Sequence, residues 1–358
     1  SGRAPGPRPG NAGGGRCSGR AMAPGPSSPA SAGGEAILNA LEVRGFTVVS
    51  KLAGSPNCSI FCVSTQGDPS GEICAAKVVN LAGLDAQGRA AAQQEVSFLK
   101  GIPGHPNLIA HRDSFMEEGS TGISSGVRVG GVDIKTGGGG PYLFLLMSYA
   151  EDGDLRLAMK DRKQAQQTVP ELVVLSWLRQ TIAGLRHMHA HGVIHRDLKS
   201  SNIFLSGGRR VARIGDFGIS KVLESVSFAQ TGVGTPAYMA PETMTEMRYD
   251  FQADIWALGC ILFELCALDP PFLAESLADI FVMVTGDAEP DWNRIAGFSQ
   301  ELQGLAKRLL QKDPSARPTA AALLEEPLVG GGPEPTEEMW SNVAPSTRSQ
   351  QPSEFAVP

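Results

Sequence analysis

Apolar and polar residues alternate along Phe46–Leu52 and Ser59–Val63, which predicts two strands with a turn between them. Ile73–Val79 is a third apolar-rich run and reads as a third strand. Ala90–Leu99 reads as a helix, and Leu108–Phe115 and Tyr142–Tyr149 as two further strands. Pro170 and Glu171 then open a helix in the usual way, with proline in the first turn and an acid beside it. Val174, Leu178, Ile182 and Leu185 follow at helical spacing. Ala253–Leu268 is apolar on most sides, as a buried helix is, and Gln300–Leu310 is predicted as another.

The pattern fails in three places. Residues 1–34 are Gly, Pro, Ala and Ser with scattered Arg; they are expected to be disordered, because they have nothing to bury. Met22 is a candidate start, which would leave residues 1–21 outside the natural chain, and the acid-poor beginning also mimics a transit peptide without showing its amphipathic face. Residues 117–140 are Gly-rich and unpatterned, and a run this long inside a domain is expected to be a disordered insertion. Residues 330–358 are polar and Pro-rich, with Trp340 isolated among them, and read as a disordered tail.

Composition narrows the possibilities. The 358 residues include 42% hydrophobic ones, enough for a packed domain or two lobes. The net charge is -6, and the first 34 residues carry four Arg and no acid, so the rest stands at -10. That argues against a nucleic-acid partner; the local cluster Arg209, Arg210 and Arg213 reads as the solvated face of a hairpin. Six cysteines without a C-x-x-C pair imply a reduced, intracellular and cytoplasmic setting. The longest apolar run, Ala257–Leu268, is broken by Glu264 and too short for a bilayer, so no membrane partner is expected. His187, His189 and His191 alternate at a helix end, where alternate residues face different sides, so a shared metal is not expected.

The chemistry concentrates in Val193–Leu205, V-I-H-R-D-L-K-S-S-N-I-F-L, a charged loop held between apolar ends. It offers a carboxylate to take a hydroxyl proton (Asp197), a cation to offset moving negative charge (Lys199) and an amide oxygen for a metal (Asn202). A second H-R-D triplet, His111–Asp113, lacks the following Lys and Asn and reads as an ordinary turn and strand start. After the first loop come Asp216-Phe217-Gly218 and Ala240-Pro241-Glu242 in order. With these motifs the sequence resembles a eukaryotic protein kinase over residues 46–328.

That resemblance implies an α+β, two-lobed fold, with a small antiparallel-sheet lobe to about Tyr149 and a larger helical lobe after it. It also implies ATP and Mg2+ as cofactors and protein substrates as partners. Lys77 would bridge nucleotide phosphates and pair with Glu95, while Asn202 and Asp216 would hold the metal. In the segment joining the lobes, Met147 would be the gatekeeper and the backbones of Ser148 and Ala150 would bond the purine. Asp154 would contact the ribose or cap a helix. Thr235 would bond Asp197 and Lys199, Glu242 and Arg317 would form a buried ion pair, and Asp254 would hold the catalytic loop from below.

The departure is the phosphate loop, where Ala53, Ser55 and Cys58 stand at the three glycines of G-x-G-x-x-G, flanked by the nucleotide-site positions Leu52 and Ile60. This leaves an alternative reading, a pseudokinase scaffold or binding module with weak nucleotide binding. Lys199 and Gly234-Thr235-Pro236 resemble serine/threonine-specific kinases, and Gly215–Leu223 with Thr231–Pro236 is similar to the NIMA-related ones. No heptads follow, so coiled-coil dimerisation is not expected. Thr231, between the D-F-G and A-P-E motifs, is the expected activating phosphosite, clamped by Arg196 and Lys221.

Overall fold

The computed structural model describes residues 32–55, 58–67, 71–117, 128–129, 132–133, 141–216, 236–246 and 250–345. Its first half is α1 (Ala32–Val43), β1 (Phe46–Ser55), β2 (Cys58–Thr65), β3 (Ile73–Asn80), α2 (Ala86–Gly101), β4 (His111–Glu117), the short β5 (Arg128–Val129) and β6 (Val132–Asp133), and β7 (Tyr142–Ser148). Strands β1-β2-β3-β7-β4, in that order, form one antiparallel sheet.

The register divides this sheet by chemistry, because successive residues of a strand face opposite sides. Phe61, Ala76 and Leu146 align across three strands, as do Ser59, Val78 and Phe144. This face is closed by Ile37, Leu38 and Leu41 of α1. The opposite face carries Val79, Leu143 and Leu145 under α2, and Ile60, Lys77 and Met147 toward the second half of the chain. Lys77 lies directly across from Ile60 and Leu145, so the alternation that builds the sheet also delivers the ammonium to the lower face.

The second half is helical. It comprises α3 (Leu155–Gln164), α4 (Glu171–Ala190), the hairpin β8 (Ile203–Ser206) and β9 (Val211–Ile214), α5 (Pro241–Glu246), α6 (Phe251–Ala267), α7 (Leu277–Thr285), α8 (Gln300–Leu309), α9 (Ala320–Glu325), α10 (Pro327–Gly330) and α11 (Glu337–Val343). Helix α6 is its pillar. Asp250 caps it by accepting from the amides of Gln252 and Ala253, and every residue from Ala253 to Cys266 is buried. At Gly259 an added Cβ would lie 2.8 Å from Leu309 Cβ, so glycine there lets α8 pack close. Together the two halves make the expected α+β fold of a sheet lobe and a helical lobe. Among the described residues no helix is long and apolar enough to cross a membrane.

Two boundary expectations need correction. The low-complexity start does not run into loop, because α1 begins at Ala32 and Ile37, Leu38 and Leu41 bury against the sheet. Nor is the chain a disordered tail from 330 onward. Residues Glu337–Val343 form α11, with Trp340 and Val343 buried on the helical half. Residues 1–31 and 346–358, and most of 117–140, lie outside the described residues. Arg209 also departs from the solvated-face reading; it is 1% exposed.

Candidate active site

The loop between α4 and β8 hangs from one carboxylate. Asp254, 1% exposed in the first turn of α6, accepts from the His195 amide through Oδ2 at 2.8 Å and from the Arg196 amide through Oδ1 at 3.0 Å. His189 Nε2 lies 2.9 Å from the same Oδ2. The His195 ring continues the scaffold: Nε2 donates to the Gly215 carbonyl at 3.0 Å and Nδ1 accepts from the Asp197 amide at 3.3 Å. Arg196 and Asp216 both sit in the left-handed region, at φ 67° and 57°. That backbone is costly for a residue with a Cβ and is held only where the surroundings over-determine it.

The scaffold leaves Asp197 in an asymmetric environment. Its Oδ2 is 2.8 Å from Lys199 Nζ and accepts from Asn202 Nδ2 at 3.1 Å. Its Oδ1 is buried and without a hydrogen-bond partner among the described residues. A buried acceptor left unpaired costs about 1–3 kcal/mol, so this oxygen calls for a donor beyond the described residues, from the chain itself or from a substrate. Asn202 Nδ2 also donates to the Asp197 carbonyl at 2.8 Å, which commits the nitrogen and turns the amide oxygen away from Asp197.

Across from this loop, Lys77 Nζ donates to Asp216 Oδ1 at 2.7 Å. Burial pushes the lysine pKa down and the aspartate pKa up, but their mutual attraction outweighs it. Lys77 ends above the ordinary lysine value and Asp216 below the ordinary carboxylate one, so both stay charged. Among the described residues the carboxylate paired with Lys77 is Asp216; the side chain of Glu95 lies outside them. A cavity of about 140 Å³ opens beside the pair, lined by Met147, Leu145, Ile102 and His111 among others. The His111 of the other H-R-D triplet thus starts a strand, as its sequence suggested, and also reaches this cavity.

The remaining predicted positions fall as follows. Asp154 caps α3, accepting from the Leu157 amide at 2.7 Å. The Ser148 amide is spent on the Ala110 carbonyl, so any purine contact from Ser148 comes from its carbonyl. Leu52, Ala53, Ser55, Cys58 and Ile60 lie on β1 and β2, which pair antiparallel with Ser55 opposite Cys58. Ala150 follows β7 and is buried. Glu242 accepts a two-pronged pair from Arg317 at 2.7 and 2.9 Å. Lys221, Thr231 and Thr235 lie outside the described residues. The three alternating histidines have separate partners: His187 meets the Pro103 carbonyl, His189 Asp254, and His191 the His187 carbonyl.

One cluster escaped the sequence reading. Tyr238 donates to Glu264 at 2.6 Å and is 3.0 Å from Ser200, tying the loop between α4 and β8 to α6. Its only signal was Glu264 breaking the apolar run Ala257–Leu268. Burial pushes the Glu264 pKa up to about 7. Between the ordinary value of 4.5 and about 7 the folded protein keeps a proton that the unfolded chain releases, so this group's contribution to stability falls as pH rises through that window. Against Glu264→Gln, the wild type is expected to lose stability across the window by an amount on the order of 3 kcal/mol. Urea unfolding at a series of pH values measures it, and parallel curves would rule out the buried proton.

Comparison with known proteins agrees with this geometry. The family described as "Protein kinase domain" matches residues 60–329. The chain is 39% identical over 222 residues to mouse "Serine/threonine-protein kinase Nek3", covering 62% of this chain and 38% of that one. It is 34% identical over 266 residues to human "Serine/threonine-protein kinase Nek5", covering 74% and 34%, and 32% identical over 275 residues to human "Serine/threonine-protein kinase Nek2", covering 75% and 56%. The chain belongs to the protein kinases. Within them it is similar to the NIMA-related serine/threonine kinases, and it spans little more than a third of the length of the first two relatives.

Proposed function

We propose that the chain is a serine/threonine protein kinase that moves the γ-phosphoryl group of ATP onto hydroxyls of protein substrates. The observation that carries this reading is the half-satisfied carboxylate of Asp197, with Oδ2 fixed by Lys199 and Asn202 and Oδ1 without a partner among the described residues. A serine or threonine hydroxyl donating to Oδ1 would be oriented for attack and would pass its proton there. Lys199 would then stabilise the phosphoryl group in transit.

The donor set suits magnesium, which prefers oxygen ligands. Asn202 Oδ1 is turned away from Asp197 by its committed nitrogen, and the Asp216 carboxylate is held ionised by Lys77. Those two side chains would hold the ion, which when bound offsets charge on the phosphates. Lys77 would exchange Asp216 for the phosphates. The test is to incubate the purified chain with radiolabelled ATP, magnesium and a generic basic protein, then analyse the phosphoamino acids. Label on serine and threonine is expected; label on tyrosine alone, or none after activation, would overturn the proposal.

The substituted phosphate loop supplies its own prediction. Changing Ala53, Ser55 and Cys58 together to glycine is expected to tighten ATP binding, because a Cβ obstructs close approach of backbone to phosphate. The opposing cost is the extra freedom of the unbound loop, about 0.4–1 kcal/mol per residue. Titration calorimetry decides: unchanged or weaker affinity would mean the nucleotide is held another way, for which Lys51, whose Cε and Nζ lie within 2.8 Å of where a Gly54 Cβ would stand, is a candidate cation.

Regulation belongs to the same reading. Phosphorylation of Thr231, gripped by Arg196 and Lys221, is expected to raise activity by adding about -1.5 to -2 charge beside two cations. Mass spectrometry after autophosphorylation, with rates for Thr231→Ala, checks it; full activity in that variant would refute the switch.

A further inference from the structure

The segment past residue 330 is anchored by side chains that belong to the catalytic half. Glu334 pairs with Arg179 at 2.7 Å, and Glu337 forms a two-pronged pair with Arg210 at 2.7 and 2.6 Å. Trp340 lies 6.3 Å, centroid to centroid, from the ring of fully buried Trp177. At the end of α11, Arg162 donates to the Asn342 carbonyl and Arg209 donates to the Val343 carbonyl at 3.0 Å. Two buried guanidinium groups thus close the negative end of the helix, where carbonyls lack internal partners. The protein kinase family match ends at residue 329, before this segment starts.

Arg209 is where the contacts converge. It sits in the β8–β9 turn, in which Gly207, Gly208 and Arg209 are all left-handed, at φ 62°, 68° and 66°. A non-glycine residue pays for that conformation, and Arg209 offsets the cost with every polar group it has. Its amide donates to Asp152 Oδ2 at 2.9 Å, its carbonyl accepts from Trp177 Nε1 at 2.7 Å, and its guanidinium reaches Asp161 Oδ2 at 2.6 Å besides Val343. The strands leaving this turn are short. Strand β8 starts directly after Asn202, and β9 ends two residues before Asp216. The Gly215 amide donates to the Asn202 carbonyl at 2.9 Å, so the far ends of the two strands are tied together as well.

We propose that Glu334–Val343 is a built-in clamp on the β8–β9 turn, and that Arg209 is a positioning residue for Asn202 and Asp216. The inference rests on the reading of those two residues as the metal-holding pair. Trp340 packs on Trp177, Trp177 holds the Arg209 carbonyl, and Arg209 sets the turn from which both strands run to the pair. Loosening the clamp at Trp340 therefore reaches the site through the hairpin, although neither Trp340 nor Arg209 touches it.

The experiment uses the full chain with Trp340→Ala, Trp340→Phe and Glu337→Arg. The Glu337 side chain is 80% exposed, so its charge reversal repels Arg210 without threatening the core. Two readouts are taken: nucleotide affinity with and without magnesium, and hydrogen exchange of the amides of residues 203–214. Loss of an outer support of metal-holding side chains typically costs 10–100-fold in metal affinity or activity. Trp340→Ala is expected to weaken magnesium-dependent nucleotide binding by about tenfold at the low end of that range, to leave metal-free binding unchanged and to speed exchange in the hairpin. Glu337→Arg should shift both readouts the same way but less, and Trp340→Phe should restore them. A lower melting temperature with unchanged magnesium dependence and unchanged hairpin exchange would reduce the segment to a structural support and overturn the proposal. Because neither readout needs phosphoryl transfer, a chain that proves catalytically silent still tests the clamp.

Discussion

Asp197→Asn is expected to lower phosphoryl transfer by about 10²–10⁴-fold, the usual contribution of a positioned proton acceptor, without lowering the melting temperature. The two outcomes have one cause. In the folded protein Asp197 is a buried carboxylate with Oδ2 shared by Lys199 and Asn202 and Oδ1 unpaired among the described residues. On the proposed mechanism, removing the charge takes away the acceptor for the substrate hydroxyl. It also removes an incompletely satisfied buried anion, whose presence favours function over stability. The Asn202 bond to the Asp197 carbonyl survives the change, so the loop retains its shape. Radiolabel transfer and a thermal melt on the same preparation measure both halves. Undiminished transfer would remove Asp197 from the mechanism, and a large drop in melting temperature would mean that its role is structural.

Glu242→Ala is expected to cost about 3–5 kcal/mol of stability, the range for leaving one buried charge of a pair uncompensated. The Arg317 side chain is 0% exposed, lies over the Trp256 ring, and otherwise meets the carbonyls of Gln311, Gln252 and Lys312. Carbonyl dipoles soften the loss of Glu242 but supply no countercharge. Whole domains are stable by about 5–15 kcal/mol, so a shift of this size is visible in a urea midpoint. Replacing both members with apolar residues of similar volume should recover much of the loss, since the pair's attraction is offset by its desolvation. A Glu242→Ala loss within about 0.5 kcal/mol, the ordinary surface range, would show that the guanidinium is solvated after all.

The parts of the fold that were readable from sequence are those whose pattern is local. Strands β2 and β3 alternate because one side packs under α1 and the other faces α2 and the site. Helix α6 is apolar on most sides because it is enclosed by the helical half. The loop from His195 to Asn202 was legible because its residues lie within one short stretch. What was not legible depends on partners far away in the chain. Glycine-rich composition masks α1, although Ile37, Leu38 and Leu41 share one face at helical spacing. The polar surroundings of Trp340 give no hint that Trp177, Arg162 and Arg209 offer it a seat. Arg209 looked solvated since nothing in a run of arginines distinguishes the one that folds inward. The Lys77–Asp216 contact joins residues 139 positions apart, and no periodicity reports a pairing of that kind.

Asp254 receives the amides of His195 and Arg196 on its two oxygens and meets the His189 ring. Three attachments on one carboxylate make the loop's tethers interdependent. Weakening any of them changes what the others are worth, so the energies of substitutions at His189 and Asp254 will not add. Once the carboxylate is gone, the histidine keeps, among the described residues, only its ring contact with Phe251, 4.7 Å away, and the loop answers to damage at this corner as one unit.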